Sequence, residues 1–196
     1  MPMHQLIIAA LLTFAVSVLP STVTAADNEL YDDPPPEDAV FVRWIEEETA
    51  PSVLGIQMPK NPGDVFFPIS AALTDGGRAG SFYTAAVDAT GDVLVIREPD
   101  RGDRSKVLLT LLNLSDDPAR LVLSDQNIDV IGTTDINSAG GRTVNPVTAT
   151  LSVVTVSGAV LGSFDVQLRR GQNITFVARP DEADLIENRF GPNIGG

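Results

Sequence analysis

The stretch from Asn145 to Ala178 constrains the fold more than any other. Val147, Ala149, Leu151 and Val153 alternate with Thr148, Thr150 and Ser152. Strand side chains repeat every two residues, so this alternation predicts a half-buried β-strand. Ser157-Gly158 is a turn signal, and beyond it the apolar set becomes Val160, Gly162, Phe164, Val166 and Leu168. A two-residue turn would set Val147 opposite Leu168, Ala149 opposite Val166 and Leu151 opposite Phe164. Thr150 would then face Asp165, and Thr148 would face Gln167. A slip of one residue would destroy every one of these matches, so the register is specified. A hairpin with one apolar face needs other strands to cover it.

The remaining strand signals agree with an all-β chain. Val40, Val42 and Trp44 share one face of a strand, and Phe41, Arg43 and Ile45 share the other. Trp44 is expected in the core with its aliphatic neighbours. Short apolar runs follow at Val53–Gln57, Val65–Ile69, Ser81–Asp88 and Val93–Ile96, separated by Pro, Gly and Asp. This spacing suits a sandwich or barrel. Lys106–Leu114 is apolar on both faces, as a central strand would be. Arg120–Ser124, Ile128–Ile131 and Ile174–Ala178 complete the set. Asp181–Asn188 reads as a helical turn or two, and Gly191–Gly196 as a loose tail.

The expected architecture is two tandem small β-sandwich domains after a cleaved signal peptide. Leu6–Leu19 is almost wholly apolar, and Val23-Thr24-Ala25 is a small-residue cleavage pattern. Residues 1–25 are therefore read as a secretory signal, with an uncleaved anchor as the alternative. Residues 26–38 form an acidic, Pro-rich arm, stiffened by Pro34-Pro35-Pro36. Residues 39–97 form an N-terminal β-domain, 98–105 a charged linker, 106–179 a C-terminal β-sandwich and 180–196 a tail. An exported chain with no Cys suits a periplasm.

Composition excludes several activities. The single His is His4, inside the signal, and the chain has no Cys. A Ser-His-Asp or Cys-His centre is impossible, and so is ordinary zinc ligation. Asp125, Asn127 and Asp129 imitate a calcium loop, but Val130 and Ile136 stand where it needs Gly and Glu. No metal and no cofactor is expected. The net charge of -13 is uneven: 14 acids and 4 bases from Asp27 to Glu98, against 12 and 9 beyond. Such a surface repels nucleic acid and favours basic protein partners. Polyanion contact would need Arg97, Arg101, Arg104 and Lys106, or Arg169 and Arg170.

The order of several short motifs is itself informative. Leu30-Tyr31 and a Pro-rich arm precede Phe41-Val42-Arg43; Glu98-Pro99 and Ser105 precede Asn113-Leu114-Ser115-Asp116. Val144-Asn145-Pro146-Val147 and Leu168-Arg169-Arg170-Gly171 follow. In this order the chain resembles the AlgF family of alginate O-acetylation proteins, more closely after Glu98 than before it. The resemblance implies a non-catalytic periplasmic accessory protein. It would link a membrane O-acyltransferase with periplasmic acetyltransferases that modify a uronic-acid polysaccharide. The resemblance supplies no catalytic residues. A carbohydrate-binding module presenting the polymer is the alternative, favoured if Trp44 and Tyr83 are exposed on one sheet face. A carboxylate-based enzyme would need two buried acids about 5–10 Å apart in a cleft.

Overall fold

The computed structural model describes residues 34–46, 51–60, 63–88, 91–103 and 105–194. The signal segment 1–25, most of the arm 26–38, and Arg104 lie outside the described residues. Asp33–Gly196 is one compact unit.

Among the described residues the regular structure is β throughout, apart from a short 3-10 turn at Ala71–Leu73. In order the strands are β1 (Ala39–Trp44), β2 (Ser52–Val53), β3 (Ile56–Gln57), β4 (Val65–Ser70), β5 (Phe82–Val87) and β6 (Val93–Arg97). There follow β7 (Val107–Asn113), β8 (Ala119–Leu123), β9 (Ile128–Thr134), β10 (Ser138–Val144), β11 (Thr148–Thr155) and β12 (Val160–Gln167). The last are β13 (Asn173–Ala178), β14 (Ala183–Glu187) and β15 (Arg189–Phe190).

The hairpin β11–β12 has the register its side chains require. Thr148 faces Gln167, Ala149 faces Val166, Thr150 faces Asp165 and Leu151 faces Phe164. The Thr150 hydroxyl donates to the Asp165 carboxylate at 2.6 Å. The turn differs from expectation. Thr155 N–H bonds the Ala159 carbonyl, and Val154 pairs with Val160 rather than Leu161. The loop therefore has one residue more, with Gly158 at φ 98°. A bulge at Leu161 absorbs the difference. It turns Leu161 toward the core and leaves Val160 63% exposed, so the apolar set ends at Leu161 and not Val160.

This hairpin belongs to a sheet ordered β12-β11-β8-β9. A second sheet, β10-β7-β13-β14, packs on it. Leu109, Leu111, Leu121, Leu151, Val153 and Phe176 fill the space between them. The two sheets form a sandwich that takes in β14 (Ala183–Glu187), beyond the expected bound at 179. The parallel pair β7–β13 sits inside the second sheet, which explains why β7 is buried at every position. Parallel strands covered on both faces read as continuous apolar runs.

What covers the other face of β7 and β13 is the N-terminal sheet, ordered β15-β4-β1-β5-β6. Ile45, Ala86 and Ile96 from that sheet meet Leu112 and Val177. Its far face, carrying Val40, Val42 and Trp44, is roofed by the small hairpin β2–β3 with Val53 and Met58. Trp44 is 2% exposed, as core packing predicts.

The end of the chain departs from expectation. Residues 181–188 make no helix: Ala183–Glu187 is β14, antiparallel to β13. Phe176 faces Leu185 across that ladder, so cross-strand pairing overrides a weak local helical tendency. Residues 189–194 are not loose. Arg189 and Phe190 pair in parallel with Val65 and Phe66 of β4, and Ile194 N–H bonds the Pro68 carbonyl.

Candidate interaction site

Five segments converge on one guanidinium. Arg43 sits on β1 on the face opposite Trp44, so it projects into the layer between the N-terminal sheet and β13. It is fully buried. Its Nε donates to the Thr84 hydroxyl at 2.7 Å. Nη2 donates to Glu98 Oε1 at 2.6 Å and to the Thr175 hydroxyl at 3.0 Å. Nη1 donates to Asn188 Oδ1. Partners on β5, β13 and the segments following β6 and β14 are thus tied to β1.

Glu98 is equally buried and bridges two cations. Arg43 holds one oxygen, and Arg101 Nη2 reaches the other at 3.3 Å. Burial alone would raise the Glu98 pKa. The Arg43 and Arg101 charges and the Thr84 hydroxyl outweigh it and leave the pKa below its ordinary value. Arg101 packs its guanidinium 3.9 Å from the Phe82 ring centroid, and Arg43 lies 4.4 Å from that of Phe66. Phe41 stacks on Phe82, with Phe190 edge-on to both. The cluster is a closed polar joint. Two guanidiniums share its one carboxylate, Arg101 Nε and Nη1 are buried without a hydrogen-bond partner among the described residues, and Glu98 is held as an ion rather than as a proton donor.

The stretch 98–105 runs from β6 to β7. Its first residues are internal. Glu98 is buried, and the Pro99 ring packs where a Cβ on Gly141 would stand. Three cations in and beside it meet acids three residues away. Arg97 bonds Asp100 at 2.9 Å, Arg101 bonds Glu98, and Lys106 Nζ lies 3.9 Å from Asp103. Arg169 and Arg170 are exposed in the β12–β13 connection and form no ion pair among the described residues. They share an end of the sandwich with Lys106, whose carbonyl accepts from Gly171 N–H. A cleft of about 900 Å³ opens near them, floored by Leu109, Leu123, Val144 and Leu168. Tyr83 is half-buried against the β2–β3 side, with its hydroxyl accepting from Arg78 N–H.

Local sequence gave no reason to bury Arg43 or Glu98. One available signal was the placement of Arg43 between Phe41 and Ile45 on a strand face. Among the motifs singled out, Asn113-Leu114-Ser115 has a structural role. The Asn113 amide donates to the Asp117 and Thr134 carbonyls, and its Oδ1 accepts from Ser115 N–H and hydroxyl.

Comparison with known proteins places these features in a family. A family model described as "Alginate O-acetyl transferase AlgF" matches residues 77–175. "Alginate biosynthesis protein AlgF" of Azotobacter vinelandii is 27% identical over 169 residues, covering 78% of each chain. The protein of the same name from Pseudomonas putida is 28% identical over 184 residues, covering 84% of this chain and 86% of that one. A solved structure of the C-terminal domain of AlgF from P. aeruginosa aligns at 24% identity and TM-score 0.37, over 42% of this chain and 96% of that one. The family match spans β5 through the first half of β13, including Glu98 and Thr175 of the buried joint, and the chain belongs to the AlgF family.

Proposed function

We propose that this protein is a non-catalytic periplasmic adaptor for O-acetylation of an exported, alginate-like uronic-acid polysaccharide. In this reading it links a membrane O-acyltransferase with periplasmic acetyltransferases. Family membership supports the pathway. The sequence supports the non-catalytic role, because the only His is His4 and there is no Cys to serve acyl transfer. The periplasmic location rests on the signal-like residues 1–25.

The observation that carries the adaptor reading is the state of the aromatic and cationic candidates. Trp44 is in the core, and Arg97, Arg101 and Lys106 are met by the chain's own carboxylates. A sugar-stacking platform and a broad polyanion track are both lost, which favours protein partners. The second reading, a module presenting polysaccharide, draws support from exposed Arg169 and Arg170 alone.

Deleting the gene and measuring O-acetyl content of the secreted polymer tests the proposal. The expected result is lost acetylation at normal polymer yield; unchanged acetylation overturns it. Transfer of acetyl from an activated ester to uronate oligomers by the purified protein would overturn the non-catalytic part. Salt-sensitive binding of those oligomers, abolished by R169A/R170A, would favour the second reading.

A further inference from the structure

Four turns at one end of the sandwich are tied into a single surface. The Asn113 amide donates to the Asp117 carbonyl in the β7–β8 turn and to the Thr134 carbonyl at the end of β9. Val156 N–H bonds the Pro118 carbonyl at 2.8 Å, and Ser157 N–H bonds the Asp117 carboxylate at 2.9 Å. These bonds seat the β11–β12 turn beside the β7–β8 turn. The β13–β14 turn lies at the same end. Leu114 N–H bonds the Ala178 carbonyl, and a Cβ on Gly162 would stand 3.2 Å from that of Ala183.

The β11–β12 turn is the apolar part of this surface. Val156 is 57% and Val160 63% exposed, with Ala159 also exposed, and Ile136 of the β9–β10 turn is 44% exposed. The bulge at Leu161 is what aims Val160 outward, as bulges re-aim side chains elsewhere. The rest of the end is acidic. Asp116, Asp135, Asp181 and Glu182 are exposed, and none forms an ion pair among the described residues. Asp117 meets the Ser157 N–H, a neutral donor that leaves its charge in place. Arg179 is the one cation in these four turns, and Glu46 and Asp184 already hold it. No group of three acids among the described residues is placed to hold a metal ion.

An apolar patch rimmed by polar groups marks an interaction surface, and here charge selects the occupant. Unpaired carboxylates repel an anionic membrane and a polyuronate. A second copy presenting the same end would set carboxylate against carboxylate. A head-to-tail copy would bring only Arg169 and Arg170 against a net charge of -13 on each chain, and its contact would not close. We propose that this end docks on another protein, whose face has an apolar recess rimmed by Lys or Arg, with Val156 and Val160 entering the recess. The proposal rests on the adaptor reading for the existence of a protein partner.

The test uses three variants of exposed side chains, each checked for wild-type urea unfolding. V156S/V160S removes the apolar tip, D116K/E182K reverses the rim, and D125K reverses an exposed acid at the opposite end of β8. The probes are the purified periplasmic acetyltransferases of the same polysaccharide system and its detergent-solubilised membrane O-acyltransferase. Each is titrated into the labelled protein and followed by amide NMR. With at least one probe, shifts are expected at Val156–Val160, Asp116, Ile136 and Glu182, and the binding should weaken as salt rises. V156S/V160S and D116K/E182K should each weaken it by about tenfold or more, and D125K by less than about twofold. Binding by no probe, shifts confined to other surfaces, or binding that D116K/E182K leaves unchanged would each overturn the proposal. So would self-association lost in D116K/E182K, or binding to phosphatidylcholine vesicles lost in V156S/V160S. In cells, V156S/V160S and D116K/E182K should lose polymer acetylation as deletion does, and D125K should keep it. Normal acetylation in the first two beside a deletion defect overturns the docking surface and leaves the adaptor reading standing. Deletion without effect overturns both.

Discussion

The central sheet β10-β7-β13-β14 is buried on two faces by two different chemistries. On one, Leu109, Leu111, Ile174 and Phe176 pack against the partner sheet with no buried ionic group among the described residues. On the other, Leu112 and Val177 share the layer with Arg43, Glu98, Thr175 and Asn188. The same two strands supply both. The apolar face needs only shape and volume, so it tolerates repacking. The polar face needs each donor to meet its acceptor, so it fixes how the N-terminal sheet sits on the sandwich. A buried ion pair is a weak source of net stability, yet breaking one is expensive.

Removing one partner from the polar face gives the largest expected effect. Arg43→Met leaves Glu98, Thr175 and Asn188 without their shared donor, and urea unfolding should show a loss of roughly 3–5 kcal/mol. A loss under about 1 kcal/mol would mean that the joint is wet and the contrast between faces false. Leu111→Ala on the apolar face should cost about 2–5 kcal/mol through the lost contacts and the cavity left behind. To separate the two faces, Arg43→Met can be combined with Thr175→Val in a double-mutant cycle. A coupling of about 0.5–3 kcal/mol is expected, whereas Arg43→Met with Leu111→Ala should be nearly additive. Additivity in the first cycle would dissociate β1 from β13.

The pH response is smaller and has a definite sign. The Glu98 pKa is depressed in the fold, so its contribution is complete above its ordinary value of 4.5 and is lost as pH falls through the folded value. The stability gap between the wild type and Glu98→Gln should stay constant from about pH 7 to 5 and shrink only below about 4.5. A gap that closes between about pH 7 and 5 would mean that burial, not the arginines, controls Glu98. The smallest effect is at the surface. Arg97→Ala breaks an exposed pair with Asp100 and should change stability by no more than about 0.5 kcal/mol.

These contrasts also explain what was readable from sequence. The β11–β12 register was legible because each strand carries its own alternation, and matching two local patterns settles the pairing. The bulge at Leu161 was not, since Val160 and Leu161 are both aliphatic and either satisfies the pattern. Lys106–Leu114 announced a central strand through its unbroken apolar run. Glu98 and Arg101 were hidden because charge adjacent to charge resembles a solvated connector. Their burial depends on Arg43, 55 residues before Glu98. Asp181–Asn188 was misread because its few apolar residues fit either period, and only β13 decides between them.

The pairing of β15 with β4 has a consequence for how the molecule is made. Strands β1, β4, β5 and β6 of the N-terminal sheet precede the sandwich in the chain, but the sheet's outermost strand is supplied by Arg189 and Phe190, which follow it. Asn188, which holds Arg43, is also made after every strand of the sandwich. A growing chain can close the β11–β12 hairpin as soon as it emerges, while the N-terminal sheet waits for residues 188–190. Premature termination after β14 would therefore leave the first-made part unfinished and the later sandwich strands in place.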